Sequence, residues 1–176
     1  MSKPCPPTAV CQTAAALLDH CASFIQRTPD QAYVAESRTI KGGTLGKHVR
    51  HVVDHFAAAV GAFERGEVID YDHRERCVPM EQDRQAALEA IAEVRSQIRA
   101  LGMEQLRAPV QIRVMLSGDG SEAELDSTLG RELFFAAHHA VHHHAMMRAI
   151  GLEMGVEAEA DFGKAPSTIN YESVRQ

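Results

Sequence analysis

Eight of the ten histidines of this 176-residue chain fall in two short clusters. The first cluster is His48, His51 and His55, and the second is His138, His139, His142, His143 and His144. Imidazole titrates near neutral pH and is the commonest side-chain ligand of transition metals. Two histidine-bearing helices that face each other would supply most of a metal site. The two clusters therefore make a metal site the first hypothesis for this sequence.

The first cluster lies in a segment whose apolar residues recur every three or four positions, as they do on one side of a helix. Residues three and four apart share a face of a helix. His48, His51 and His55 therefore project to one side, beside the apolar stripe. We expect this face to look towards a neighbouring helix, and the spacing alone leaves open which of the three histidines would bind a metal.

The second cluster contains two overlapping pairs with i,i+4 spacing, an arrangement with which one helix can chelate a metal. His139 and His143 share their stripe with apolar residues and are expected to point inward, whereas His138 and His142 lie towards the flank. Glu132 falls on the inward stripe and could accept a hydrogen bond from an imidazole. The helical phase thus favours His139 and His143 as the ligand pair.

One histidine of the first cluster and the inward pair give three nitrogen ligands and leave a coordination position open, as in catalytic metal sites. Neutral imidazole does not discriminate between zinc, nickel and iron. The alternative is that the histidines pack in the core or bind metal only adventitiously at the surface. That the two clusters meet in space is an assumption at this point.

Periodicity and turn residues predict an all-α fold, a four-helix bundle that forms one domain over residues 1–176. The predicted helices cover residues 8–28, 44–65, 80–101 and 128–150. Alternating apolar residues between 110 and 116, followed by Gly118-Asp119-Gly120, predict a small hairpin or extended insertion before the last helix. Residues 151–176 lack long helical periodicity and are expected to form an ordered tail.

The net charge of −6 and the pI of about 5.9 provide no basic surface for nucleic acid. No apolar run approaches the ~20 residues that span a bilayer, and the start of the chain does not read as a signal peptide. The four cysteines show no CxxC spacing, which is typical of a reduced, cytoplasmic protein. We therefore expect a cytoplasmic chain without nucleic-acid or membrane partners, whose exposed helix faces could support a homodimer.

Several segments together resemble the DinB-like (DNA-damage-inducible-type) superfamily of metal-binding four-helix bundles. They are LGKHVRHVVDHF at 45–56, GRELFF at 130–135 and HAVHH at 139–143. The loop YDHRER at 71–76 and the segment DFGKAPST at 161–168 are similar to a bacterial branch of that superfamily. The resemblance covers most of the chain from about residue 40.

The resemblance implies a ligand set of His51, His139 and His143. The remaining candidates, as alternative ligands or hydrogen-bond partners of the ligands, are His48, His55, His142 and Glu132. Similar proteins with known activity include thiol-dependent transferases and isomerases, in which the metal activates a thiol or water. The resemblance thus implies a divalent metal ion, a small-molecule substrate and a low-molecular-weight thiol as a further cofactor.

The loop after the first histidine cluster carries residues that could bind a substrate, namely Tyr71, Arg74 and Arg76. The two guanidinium groups could hold a carboxylate, or they could form salt bridges to the helices. We expect a metal-dependent enzyme related to the thiol S-transferases and isomerases. The alternatives are a metal-dependent hydrolase, a metal-stabilised stress-related binding protein without catalysis, and a helical interaction module with incidental histidines. No catalytic residue can be assigned from the sequence.

Overall fold

The computed structural model describes residues 5–73 and 78–175. Its helices are α1 (Ala9–Arg27), α2 (Asp30–Val34), α3 (Leu45–Arg65), α4 (Arg84–Ala100), α5 (Met103–Arg107), α6 (Leu129–Glu153) and α7 (Pro166–Val174). Its strands are β1 (Ile69–Asp70), β2 (Pro109–Met115) and β3 (Glu122–Thr128). The four long helices form a ring of neighbours, because α3 packs on α4 and α6 and α1 packs on the same two helices.

Helix α3 illustrates how local sequence sets the helix bounds. The Thr44 hydroxyl accepts a hydrogen bond from the backbone N–H of Lys47 at the start of the helix. Gly66 ends the helix in the left-handed region, with φ 67°. The stripe between them is buried and comprises Leu45, Val49, Val52, Phe56 and Val60. One side of α3 therefore belongs to the core.

Helix α4 begins later than its apolar pattern predicts. Residues Pro79–Glu81 form a separate 3-10 turn. The Asp83 side chain then accepts hydrogen bonds from the backbone N–H groups of Gln85 and Ala86, which fixes the helix start at Arg84. The predicted start at about residue 80 is therefore too early, because Pro79–Glu81 form a turn of their own and the side-chain cap is Asp83.

The segment between α5 and α6 is a hairpin of two seven-residue strands, β2 and β3, which pair antiparallel from Pro109↔Thr128 to Met115↔Glu122. Strand β1 lies parallel to β2, with Ile69 opposite Ile112. Both isoleucines are buried, so the resulting three-stranded mixed sheet is attached to the helices. The prediction of an all-α class is therefore wrong, since the molecule combines helices with a mixed sheet.

The C-terminal tail follows the outside of α6. Phe162 is buried between two rings: its centroid lies 4.8 Å from that of Phe24 and 4.5 Å from that of His144. Arg148 donates hydrogen bonds to the carbonyl groups of Ala160 and Phe162. Beyond these contacts the tail forms α7, whose residues are largely exposed.

Among the described residues, no helix is both long and apolar enough to cross a membrane.

Two glycines of α3 provide a matched test of this packing. A Cβ on Gly46 would overlap the Glu81 carbonyl oxygen and lie 2.9 Å from the Tyr33 ring, whereas on Gly61 it would meet only the end of the Arg65 side chain. We expect Gly46→Ala to lower the free energy of unfolding by about 2 kcal/mol or more. Gly61→Ala should be neutral or stabilising by up to about 1 kcal/mol. Urea unfolding checks both variants, and equal effects would contradict the close packing of Gly46.

Candidate metal centre

Three imidazoles from two helices meet between α3 and α6, where His143 is buried and His51 and His139 are half-buried. His51 comes from α3, and His139 and His143 are one turn apart on α6. The Nε2 atom of His139 lies 2.9 Å from Nε2 of His51 and 3.1 Å from Nε2 of His143. The structure therefore brings one histidine of the first cluster to the inward pair of the second.

The packing of α3 on α6 makes this approach possible. Axial separation between helices depends on the side chains at their contact. Helix α6 buries three alanines next to its histidines, Ala136, Ala137 and Ala140. Small buried side chains let neighbouring helices approach α6 closely.

The donor set fits a divalent cation. Among the described residues, one group of histidine, cysteine or acidic side chains has ligand atoms that all lie within 4.8 Å of one another, and it is His51, His139 and His143. Nitrogen ligands bound at about 2.0–2.1 Å to one tetrahedral ion lie about 3.3 Å apart. The observed separations of 2.9 and 3.1 Å are close to that value. Modest side-chain adjustment would bring the three nitrogens to ligand spacing.

Burial keeps at least one of these ligands neutral. Desolvation, followed by the proximity of His139 and His48, lowers the pKa of His143 to about 3. Protonation would place a positive charge on a ring that is only 8% exposed and surrounded by other imidazoles. His143 therefore presents the neutral imidazole that metal binding requires.

The other histidines of the first cluster contact this group without belonging to it. Nδ1 of His48 lies 2.9 Å from Nδ1 of His143, on the opposite side of that ring from Nε2. Nδ1 of His55 lies 2.8 Å from the backbone oxygen of His51, and its ring stacks on His139 with centroids 4.2 Å apart. Desolvation, then the proximity of His142, lowers the pKa of His48. Neither His48 nor His55 belongs to the described group whose ligand atoms all lie within 4.8 Å of one another.

The remaining histidines of the second cluster have other surroundings. His138 is exposed near Phe134, and His142 is exposed with its ring 5.2 Å from that of His143. His144 is buried against Phe162 on the far side of α6, where desolvation lowers its pKa to about 3. Of the five histidines on α6, His139 and His143 are the two whose Nε2 atoms join His51.

Glu132 is fully buried, but its described hydrogen bonds are not to an imidazole. Its carboxylate accepts hydrogen bonds from the Tyr71 hydroxyl at 2.9 Å, from Arg131 at 3.0 Å and from the Ser127 hydroxyl. Desolvation, then the nearby Glu132 carboxylate, raises the pKa of Tyr71, so its hydroxyl remains a donor. Tyr71 stacks on His55 with nearly parallel rings. Glu132 therefore fixes Tyr71 at the border of the centre and has no described hydrogen bond to a ligand.

Of the proposed substrate-binding residues, Tyr71 is placed beside the histidines, and Arg74 and Arg76 lie outside the described residues. Sequence reasoning missed Ser127 and Phe135. Ser127 reaches Glu132 across the start of α6, and the Phe135 ring lies 5.9 Å from that of His139. Helical spacing from His139 could have identified Phe135, which is one turn earlier, whereas the contact of Ser127 depends on the turn into the helix.

Comparison with known proteins shows a partial similarity to a fungal protein. No family model matches the chain. The chain is 36% identical over 105 residues to FK506-binding protein 5 of Rhizopus delemar. The match covers 59% of this chain and 27% of the relative, so this chain spans about a quarter of that protein's length.

The name of this relative contradicts the function predicted from the sequence. It describes a protein that binds FK506, not a metal-dependent enzyme acting on a small molecule. The predicted thiol-dependent transferase or isomerase is therefore wrong, together with its alternatives of a hydrolase and a stress-related binding protein. The description of the fold as a four-helix bundle, with metal-dependent chemistry as its main feature, is corrected in the same way, because the fold contains a sheet and the relative bears a different name.

His73 provides a pH-dependent test of the loop that carries Tyr71. Its ring lies 3.0 Å from the carboxylate of Asp70 and 3.2 Å from that of Glu122, and the hydrogen bond to Asp70 raises the pKa of His73. A raised pKa stabilises the fold below the unfolded value of about 6.5, and this contribution disappears as the pH rises through the folded pKa. We expect His73→Gln to lower the Tm at pH 5.5 and to leave it unchanged at pH 8.5. An equal loss at both pH values would contradict the ion pairs.

Proposed function

We propose that this chain binds one divalent metal ion through His51, His139 and His143. Zinc, nickel and iron all suit neutral imidazole ligands. The observation that carries the proposal is the convergence of three Nε2 atoms from α3 and α6. Three protein ligands leave room for a further ligand, for which water or a low-molecular-weight thiol is the candidate.

The hydrogen-bonding capacity of imidazole supports a cation at this position. Each ring nitrogen of a neutral histidine carries either a proton or a lone pair. Nε2 of His139 has two other Nε2 atoms within 3.1 Å, but with one proton or one lone pair it can form a full hydrogen bond to only one of them. A cation would instead let all three nitrogens present lone pairs to one position.

Elemental analysis of protein purified without a tag or a nickel column tests this proposal. We expect about one divalent ion per chain in the wild type and loss of most of it in His51→Ala, His139→Ala and His143→Ala, because each variant removes one ligand. His138→Ala is the matched control on α6, since His138 is exposed, and it should retain the ion. Full occupancy in all three ligand variants would exclude the centre.

A second candidate function is peptidyl-prolyl isomerase-like activity with binding of FK506. The observation that favours it is the 36% identity to FK506-binding protein 5 over 105 residues. A cavity of about 440 Å³ between the end of α3 and the start of β2 has mostly apolar walls that include Phe63, Val68, Pro109 and Val110. Its volume lies in the range of about 300–1,000 Å³ that is typical of small-molecule sites.

A prolyl isomerisation assay with a proline-containing peptide tests the second candidate. Under this hypothesis we expect the chain to accelerate isomerisation and FK506 to inhibit it. Val110→Lys should weaken FK506 binding because it places a charge at the cavity wall, whereas His51→Ala should not change it. Absence of both acceleration and FK506 binding would exclude this candidate and leave the metal proposal untouched.

We also propose a relationship to the DinB-like superfamily, a cellular compartment and a set of partners. The order and spacing of the histidine motifs support the resemblance. We infer a cytoplasmic chain that acts without nucleic-acid or membrane partners, and the net charge of −6 supports the first of these exclusions. A small molecule and a second copy of the chain remain the proposed partners.

A further inference from the structure

The ring of His143 is held at both of its nitrogens. Nε2 lies 3.1 Å from Nε2 of His139, inside the candidate centre. Nδ1 lies 2.9 Å from Nδ1 of His48, which comes from α3 one turn before His51. His48 and His143 are each only 8% exposed, and the short distance leaves no room for water between the two nitrogens.

Two Nδ1 atoms at this distance share a single hydrogen bond, in which one donates and the other accepts. An imidazole that binds a cation through Nε2 carries its proton on Nδ1. With His143 as a ligand, its Nδ1–H is therefore the donor and Nδ1 of His48 is the acceptor. The proton position on both rings follows from the ligand role of His143.

The other nitrogen of His48 does not compete for this role. Its Nε2 is buried and makes no hydrogen bond within residues 5–73 and 78–175. Nδ1 is thus the atom through which His48 acts on the centre. A hydrogen-bond acceptor behind a histidine ligand fixes the orientation of the ring and raises the basicity of the ligating nitrogen.

We propose that His48 is a positioning residue of the metal centre, which accepts the Nδ1–H of His143 and directs Nε2 of that ring at the ion. This inference rests on the proposed metal binding. The acceptor in such pairs is commonly a carboxylate or a backbone carbonyl, and here an imidazole from the facing helix takes its place. This hydrogen bond from His143 to His48 therefore links α6 to α3 directly at a metal ligand.

Two variants of the same shape, one with and one without a hydrogen-bond acceptor, test the role of His48 Nδ1. In His48→Asn the side-chain oxygen can occupy the position of Nδ1, whereas His48→Leu has the same shape as Asn without an acceptor. We expect zinc titration into the metal-stripped protein to give near wild-type affinity for His48→Asn and an affinity about 10- to 100-fold weaker for His48→Leu. His138→Leu on the exposed side of α6 is the control and should bind zinc as the wild type does.

The outcomes distinguish the positioning role of His48 from the metal binding on which it rests. Recovery of affinity in the Asn variant is a result that simple loss of packing would not produce, because the two variants leave the same space. Equal zinc affinity in His48→Asn and His48→Leu, whether high or low, overturns the positioning role while metal binding stands. A wild type that binds no zinc overturns both. Melting temperatures of the metal-free variants show that each variant is folded.

Discussion

The contact between α3 and α6 is the interaction on which the rest of the structure depends. It places imidazoles of the two helices within 2.9 Å of one another at two points, His51 with His139 and His48 with His143. Charged imidazoles could not be buried so closely, since desolvation and mutual repulsion both oppose protonation. The low pKa of His143 expresses this constraint. The helices can pack in this way because that ring is neutral.

Contacts outside the cluster hold both helices in position. Arg50, next to His51, forms a buried ion pair with Glu81 at 3.1 Å, which fixes the start of α3 against the turn before α4. On the opposite side of α6, His144 packs against Phe162 of the tail. Removing one partner of a buried ion pair commonly costs about 3–5 kcal/mol, because it leaves the other charge buried and unpaired, so loss of either Arg50 or Glu81 would destabilise the fold beside the centre.

The two candidate functions make different demands on the molecule. Metal binding uses the interior of the helix pair and needs neutral imidazoles at ligand spacing. Binding of FK506 would need an apolar surface, and the cavity beside β2 offers one at the junction of helix and sheet. The similarity to the Rhizopus protein covers 59% of this chain. The mixed sheet, of which the sequence-based prediction included at most a hairpin, thus matters for the second candidate but not for the first.

Much of the helical framework could be predicted from the sequence because its cause is local. Apolar spacing, the Thr44 cap and Gly66 define α3 without reference to the rest of the chain. Strand β1 could not be predicted in this way. It has two residues, too few for an alternating pattern, and its partner in β2 lies more than forty positions later. The fold class was therefore wrong for a physical reason, since strand pairing is non-local.

For the centre, helical phase by itself determined that His139 and His143 share one side of α6. It could not choose among His48, His51 and His55, because all three project from the same side of α3. The tertiary structure decided this by the offset and distance between the two helices, which place Nε2 of His51 beside His139 and Nδ1 of His48 behind His143. It likewise paired Glu132 with Tyr71 rather than with an imidazole. Periodicity along one helix can be read from its own sequence, whereas the register between two helices is set by their packing.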